Sequence, residues 1–240
     1  MATWIAHLRI AENLLDRIPG LDPGQFAIGN IAPDAGIPDK KWEKFNPPPE
    51  VTHFKRSKSV HKDIADLDFY RDHLADIQPS DTHRFSFRLG YFFHLITDNL
   101  WTKEVGKPTT ERFAEQFAAD KSFIWEVKKD WYGLDHIYVH EHPDCLYWRI
   151  FLDAQPVSAE LDFLPPQALP RQMHHIKSYY QLDDDEIKDM MTRPKVYLSK
   201  DHMNRFVNDS TESIHAIYQM LWPNPPALDG YSSALELAKI

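Results

Sequence analysis

A single cysteine, Cys145, occurs in the 240 residues, so no disulfide can form within the chain, and such sparse use fits a reducing compartment. Glycine is also scarce, at eight, and no glycine-rich phosphate loop can be picked out, which leaves glycine-dependent nucleotide cradles little material. Alternating apolar and polar runs, the signature of half-buried strands, are few. Positive charge is in deficit, with 27 Lys and Arg against 36 Asp and Glu and a formal net charge of −9. That balance argues against an extended nucleic-acid partner but not against a small anionic substrate held by a metal. No apolar run approaches the length that a bilayer span needs. The N-terminal stretch TWIAHLRIAENLLDRI is interrupted by His7, Arg9, Glu12 and Asp16, which breaks any signal-peptide core. The expectation is a soluble, cytoplasmic chain without a transmembrane segment.

What the chain does have is apolar and aromatic mass, 42% and 13% of residues, together with thirteen histidines. The densest stretch, RFSFRLGYFFHLITDNLWTKE from Arg84 to Glu104, is apolar on most sides and predicts a helix buried inside a larger bundle. Two polar residues interrupt it, His94 and Asp98. They stand four apart and therefore share one helical face. A carboxylate in an apolar setting is costly unless paired, hydrogen-bonded or bound to metal, and imidazole with carboxylate is a common ligand set for zinc and related ions. A plain hydrogen-bonded His–Asp pair has the same spacing.

Around this helix the pattern predicts an all-α fold, a multi-helix bundle forming one domain over residues 1–240. Residues 3–18 read as an amphipathic helix with Thr3 as N-cap. Residues 23–36 read as a short helix entering a tight turn at Pro33, which sets Asp34 at a defined spot, as metal ligand or as turn cap. Residues 37–60 read as loop and contain Thr52-His53-Phe54. Residues 60–77 read as a helix with His61, Asp63, Asp66 and Asp72 in solvent, and Ser80 or Asp81 as cap of the helix that follows. One helix is expected over 109–133, and His136 and His140 share a face if 134–142 is helical. His142, before Pro143, reads as a loop end. Further helices are expected over 171–180, 183–191 and 200–222.

The ordered set His7, GNIAPD ending at Asp34, Thr52-His53-Phe54 and Gly90-Tyr91-Phe92-Phe93-His94 through Asp98 resembles the zinc-dependent phospholipase C family, which is related to the P1-type nucleases. In that family an early-helix His, an Asp in a G-x-x-A-P-D turn, a T-H-F element and a G-Y-x-x-H-x-x-x-D helix supply metal ligands. The resemblance implies an all-α fold and a centre of one to three zinc ions, with Mn2+ or another divalent ion as alternative. It implies His7, Asp34, His53, His94 and Asp98 as ligands, with Asp34 and Asp98 catalytic. Extracellular members use the free amine of an N-terminal Trp as a ligand, whereas Trp4 is internal. They also carry a His six residues past the bridging Asp and an H-x-x-x-E pair. Glu104 and the pair His136 and His140 stand nearest to those features, and with His61 they are secondary ligand candidates.

The implied activity is hydrolysis of a small phosphoester or phospholipid-like substrate by a metal-activated water. Asp98 is the bridge between two ions, and Asp34 a ligand or the general base. Lys55 and Arg56, next to His53, are the first cations to consider for holding a phosphate. Imidazoles bind metal only when neutral, so activity is expected to fall below about pH 6. A non-catalytic metal-binding or interaction module of the same fold stays open beside this reading. A metallohydrolase of the histidine–aspartate type finds no support, because no adjacent His-Asp doublet occurs.

Overall fold

The structure is a computed structural model that describes residues 1–40, 44–56, 64–157 and 161–240. It is all-α apart from one antiparallel pair of two-residue strands, β1 (Ile37–Pro38) and β2 (Phe45–Asn46). The helices are α1 (Trp4–Leu15), α2 (Pro23–Gly29), α3 (Pro49–Thr52), α4 (Asp66–Phe69), α5 (Thr82–Trp101) and α6 (Lys107–Arg112). They are followed by α7 (Ala114–Ala119), α8 (Phe123–Glu141), α9 (Ala168–Tyr179), α10 (Asp184–Thr192), α11 (Lys200–Leu221) and α12 (Ala234–Ala238). None is long and apolar enough to cross a membrane.

The expected central helix is α5. All of it is buried except Thr82, His83, Arg84 and Asn99. A helix apolar on every side can satisfy its surface only by being surrounded, and α1, α2, α4 and α11 pack against it. The α2–α5 crossing is the tightest. A Cβ placed on Gly29 would lie 2.0 Å from the Phe87 carbonyl oxygen, and one on Gly90 would lie 2.4 Å from that of Phe26. Glycine inside a helix costs about 1 kcal/mol against alanine. Here it lets two backbones touch, which brings the end of α2 and the turn beyond it against the middle of α5.

Several expectations change in the folded chain. Thr3 is the N-cap residue of α1 but makes no capping bond to its own helix; its hydroxyl donates to Asp135 instead. The stretch 37–60 is not all loop, since Pro49 opens the short helix α3 directly before His53. The helix expected over 109–133 is broken into α6, α7 and the start of α8. The Asp120 side chain accepts from the Ser122 N–H and hydroxyl, a local turn that competes with helix continuation. His142 is the C-cap of α8 rather than a loose loop end: its Nδ1 bonds the Tyr138 carbonyl at 2.9 Å and its ring stacks on Tyr138. Asp66, expected in solvent, is fully buried. It accepts from the Ser233 hydroxyl, the Ala234 N–H and the Asn99 amide, and so anchors the start of α12. Burial pushes its pKa up to about 6 against those bonds. Residues 60–63, with His61, lie outside the described residues.

Candidate metal centre

Four short segments bring five side chains together. His7 comes from the middle of α1. Asp34 closes a single 3-10 turn, Ala32–Asp34, that follows α2 and tolerates Pro33 as its second residue. His53 sits at the end of α3, where Phe54 adopts φ +50°, a left-handed conformation unusual for a bulky residue. The Phe54 ring packs edge-on against Phe69 and Phe163, which holds that turn in place. His94 and Asp98 face the same way from α5.

The functional atoms converge. His53 Nε2 lies 3.3 Å from Asp34 Oδ1 and 3.6 Å from Asp98 Oδ2. His94 Nε2 lies 3.8 Å from Asp98 Oδ2 and 3.4 Å from His53 Nε2. His7 Nε2 lies 3.5 Å from Asp98 Oδ1, and its ring stacks on His94 with centroids 3.8 Å apart. Two overlapping triads, His7–His94–Asp98 and Asp34–His53–His94, have ligand-type atoms within 4.8 Å of one another.

Surrounding groups orient these ligands, as outer-shell partners of metal-bound histidines do. His94 Nδ1 donates to the Asn30 carbonyl at 2.8 Å, which leaves its Nε2 as a bare lone pair aimed into the cluster. Thr52 Oγ1 lies 2.9 Å from His53 Nδ1, and the Tyr91 hydroxyl donates to the Thr52 carbonyl at 2.6 Å. Asp34 Oδ2 accepts from the Trp4 indole at 2.9 Å, and Asp98 Oδ1 accepts from the Ala2 N–H at 2.7 Å.

Electrostatics follow from burial. Loss of water holds His7 neutral, down to about 4, with His94 adding to the effect against Asp98. His53 is lowered in the same way, against the pull of Asp34. Burial acts against Asp34 as well, but His53 and His94 outweigh it and hold its carboxyl down to about 2. Asp98 is held well below the usual carboxylate range although burial opposes it; the positive charge at residue 1 and the imidazoles of His7 and His94 prevail. The result is that His7 and His53 are held toward the neutral form and both carboxylates toward the ionised one. Among the described residues, His7 Nδ1 and Nε2 and Asp98 Oδ2 are buried without a hydrogen-bond partner. Acceptor atoms turned toward one another in a dry interior repel unless a cation lies between them. The donor set therefore fits a divalent ion of the zinc type.

On one side the cluster meets a cleft of about 340 Å3 that Asp34 and His53 line, walled by Trp4, Trp125, Trp131, Tyr132 and Tyr179. His7, His94 and Asp98 lie beneath its floor, essentially without solvent exposure.

The secondary candidates are not brought into the cluster. Glu104 is half-exposed beside Lys103. It lies past the end of α5, in the wider π-helical turn Thr102–Gly106, and is not among the clustered ligand atoms. His136 is buried between Tyr179 and Tyr180, where loss of water lowers it to about 4. His140 is exposed near the end of α8. Arg56 is engaged by Asp68, and neither it nor Lys55 lines the cleft; among the described residues the cation that does is Lys128 on α8. Trp4 and Asn30 were missed as orienting groups. Asn30 lies inside the GNIAPD motif, where its neighbours already pointed.

An all-α scaffold with a His3Asp2 set at the foot of a cleft is a candidate metal-binding site. More particularly, residues 6–101 match the family model described as zinc dependent phospholipase C, a stretch that holds all five cluster residues and ends at the last residue of α5. Comparison with the curated proteins finds no match, nor does comparison with the solved structures. The family match and the cluster together support a zinc cofactor and a metal-dependent hydrolase.

Proposed function

We propose that this chain, acting as one domain, is a zinc-dependent phosphoester hydrolase of the phospholipase C type. The observation that carries the reading is the convergence of three imidazoles and two carboxylates, with unpartnered ligand atoms, at the foot of an aromatic cleft. His7, His53, His94, Asp34 and Asp98 would hold the metal. When bound, zinc supplies Lewis-acid chemistry, lowering the pKa of water toward about 7 and polarising a phosphoryl oxygen.

The residues divide the remaining work. Asp98 turns Oδ1 to His7 and Oδ2 to His53 and His94, an arrangement suited to bridging. Of the two roles open to Asp34, ligand and general base, a carboxyl held at about 2 favours ligand, because an efficient base has a pKa near the working pH. The Trp4 indole fixes its orientation on the cleft side. The aromatic walls exclude water and receive the apolar part of a small phosphoester or phospholipid-like substrate.

The test is hydrolysis of bis-p-nitrophenyl phosphate by protein stripped of metal and then reloaded with Zn2+ or Mn2+. Turnover that requires the added ion supports the reading. Metal-loaded protein that cleaves no phosphodiester, phospholipid or nucleotide leaves a metal-binding module.

A further inference from the structure

A carboxylate from the second half of the chain holds the start of α1. Asp135 on α8 is 2% exposed, and three donors converge on it. The Thr3 hydroxyl reaches Oδ1 at 2.7 Å, the Tyr180 hydroxyl Oδ2 at 2.8 Å, and the Ile5 N–H Oδ2 at 3.3 Å. Ile5 is the second residue of α1, so Asp135 performs from another helix the bonding that an N-cap side chain normally supplies. Its burial is unfavourable and pushes its pKa up to about 7 against these bonds and the nearby Arg9.

The residues on either side of Thr3 face the metal centre. Ala2 N–H donates to Asp98 and the Trp4 indole to Asp34, so each carboxylate of the cluster takes a donor from the clamped segment. His7 follows one turn later, stacked on His94. Tyr180 extends the clamp to the end of α9, beside the cleft-wall residue Tyr179.

We propose that Asp135 is a positioning residue for the metal centre, locking Ala2–Ile5 so that Asp34 and Asp98 keep the orientation in which they meet the imidazoles. The proposal rests on the metal-centre reading and goes beyond it, since Asp135 is neither in the cluster nor among the residues lining the cleft. Asp130 provides the contrast. It lies on the same helix and is 3% exposed, but it accepts from the Tyr197 N–H and pairs with Arg193, with no bond to α1.

The experiment compares wild type, Asp135→Asn, Tyr180→Phe, Thr3→Val and Asp130→Asn in thermal melts, zinc affinity by chelator competition, and the visible spectrum of the cobalt-loaded protein. Asp135→Asn leaves one acceptor oxygen where the carboxylate had two and removes its charge, so the three donors can no longer all be satisfied as before. It is expected to weaken zinc about tenfold, the low end of outer-shell effects, and to shift the cobalt bands. Tyr180→Phe and Thr3→Val should act in the same direction by less. Asp130→Asn should lower the melting temperature and leave zinc affinity and the cobalt spectrum unchanged. A folded Asp135→Asn that binds zinc like wild type overturns the proposal, as does an Asp130→Asn that weakens zinc equally. If Asp135→Asn fails to fold, the two single-bond variants decide on the same readouts. Wild type that takes up neither zinc nor cobalt overturns the metal-centre reading itself, and the proposal with it.

Discussion

Asp98 accepts from one backbone N–H, faces three imidazoles, and keeps Oδ2 buried without a hydrogen-bond partner. Replacing it by Asn keeps the shape and removes the charge. Phosphodiesterase rate is expected to drop by orders of magnitude while far-UV circular dichroism stays helical; full metal-dependent rate in Asp98→Asn would remove Asp98 from the mechanism. His7 makes a second statement at this scale. Burial lowers it from 6.5 to about 4, so between those values the unfolded chain binds a proton that the folded chain does not. Stability of the metal-free protein therefore falls as pH drops from 6.5 toward 4, by roughly 3 kcal/mol from this residue. Denaturant unfolding of wild type against His7→Gln across that range should show the difference; parallel curves would refute it. The same burial keeps the site ready for metal at lower pH than the free imidazole value suggests. Loss of activity is accordingly expected further below pH 6 than the sequence alone implied.

Glycines at the α2–α5 crossing matter at the level of the element. Gly90→Ala gains about 1 kcal/mol of helix propensity but drives a methyl into the Phe26 carbonyl. Overpacking of this kind costs typically 1–3 kcal/mol and moves backbone. Net destabilisation is expected in denaturant titrations, with weaker zinc binding, because the Asn30 carbonyl that orients His94 lies at the displaced end of α2. A Gly90→Ala protein as stable as wild type would show that the crossing has slack. His142→Ala tests the opposite case. It removes a ring stacked at the end of α8, outside both the cluster and the cleft lining, and should leave zinc affinity and rate unchanged in chelator competition and kinetic assays.

Across the whole molecule, the ligands come from α1, the 3-10 turn, α3 and α5, so bound metal would tie four segments together. Ligand that binds only the folded state stabilises it by mass action, about 2.7 kcal/mol at one hundred times Kd. For a chain of this length that is roughly 5–10 °C in melting temperature. Saturation with zinc should produce a rise of this order in a thermal melt, and a chelator should reverse it. An unchanged melt at saturating zinc would mean that the ion does not bind at the cluster.

The sequence by itself determined the helical class, the buried central helix and the shared face of His94 and Asp98, because these depend on local spacing; the other three ligand candidates came from the order of motifs that the family resemblance rests on. The i, i+4 interval of His94 and Asp98 and the proline turn before Asp34 act within a few residues. What only the tertiary structure decided are the relations between segments distant in the chain. Asp135 meets Thr3 and Ile5 across some 130 residues of sequence, and no local pattern marks that contact. Asp66 reads as a solvated helix residue until α12 folds over it. Glu104 keeps the right interval from Asp98 but lies past the end of α5, in a π-helical turn that leaves it half-exposed beside Lys103. The cleft wall from Trp125 to Tyr179 lies beyond the last recognisable motif, and it reaches the metal centre only because α8 and α9 pack against the front of the molecule, where long-range burial, not local propensity, fixes position.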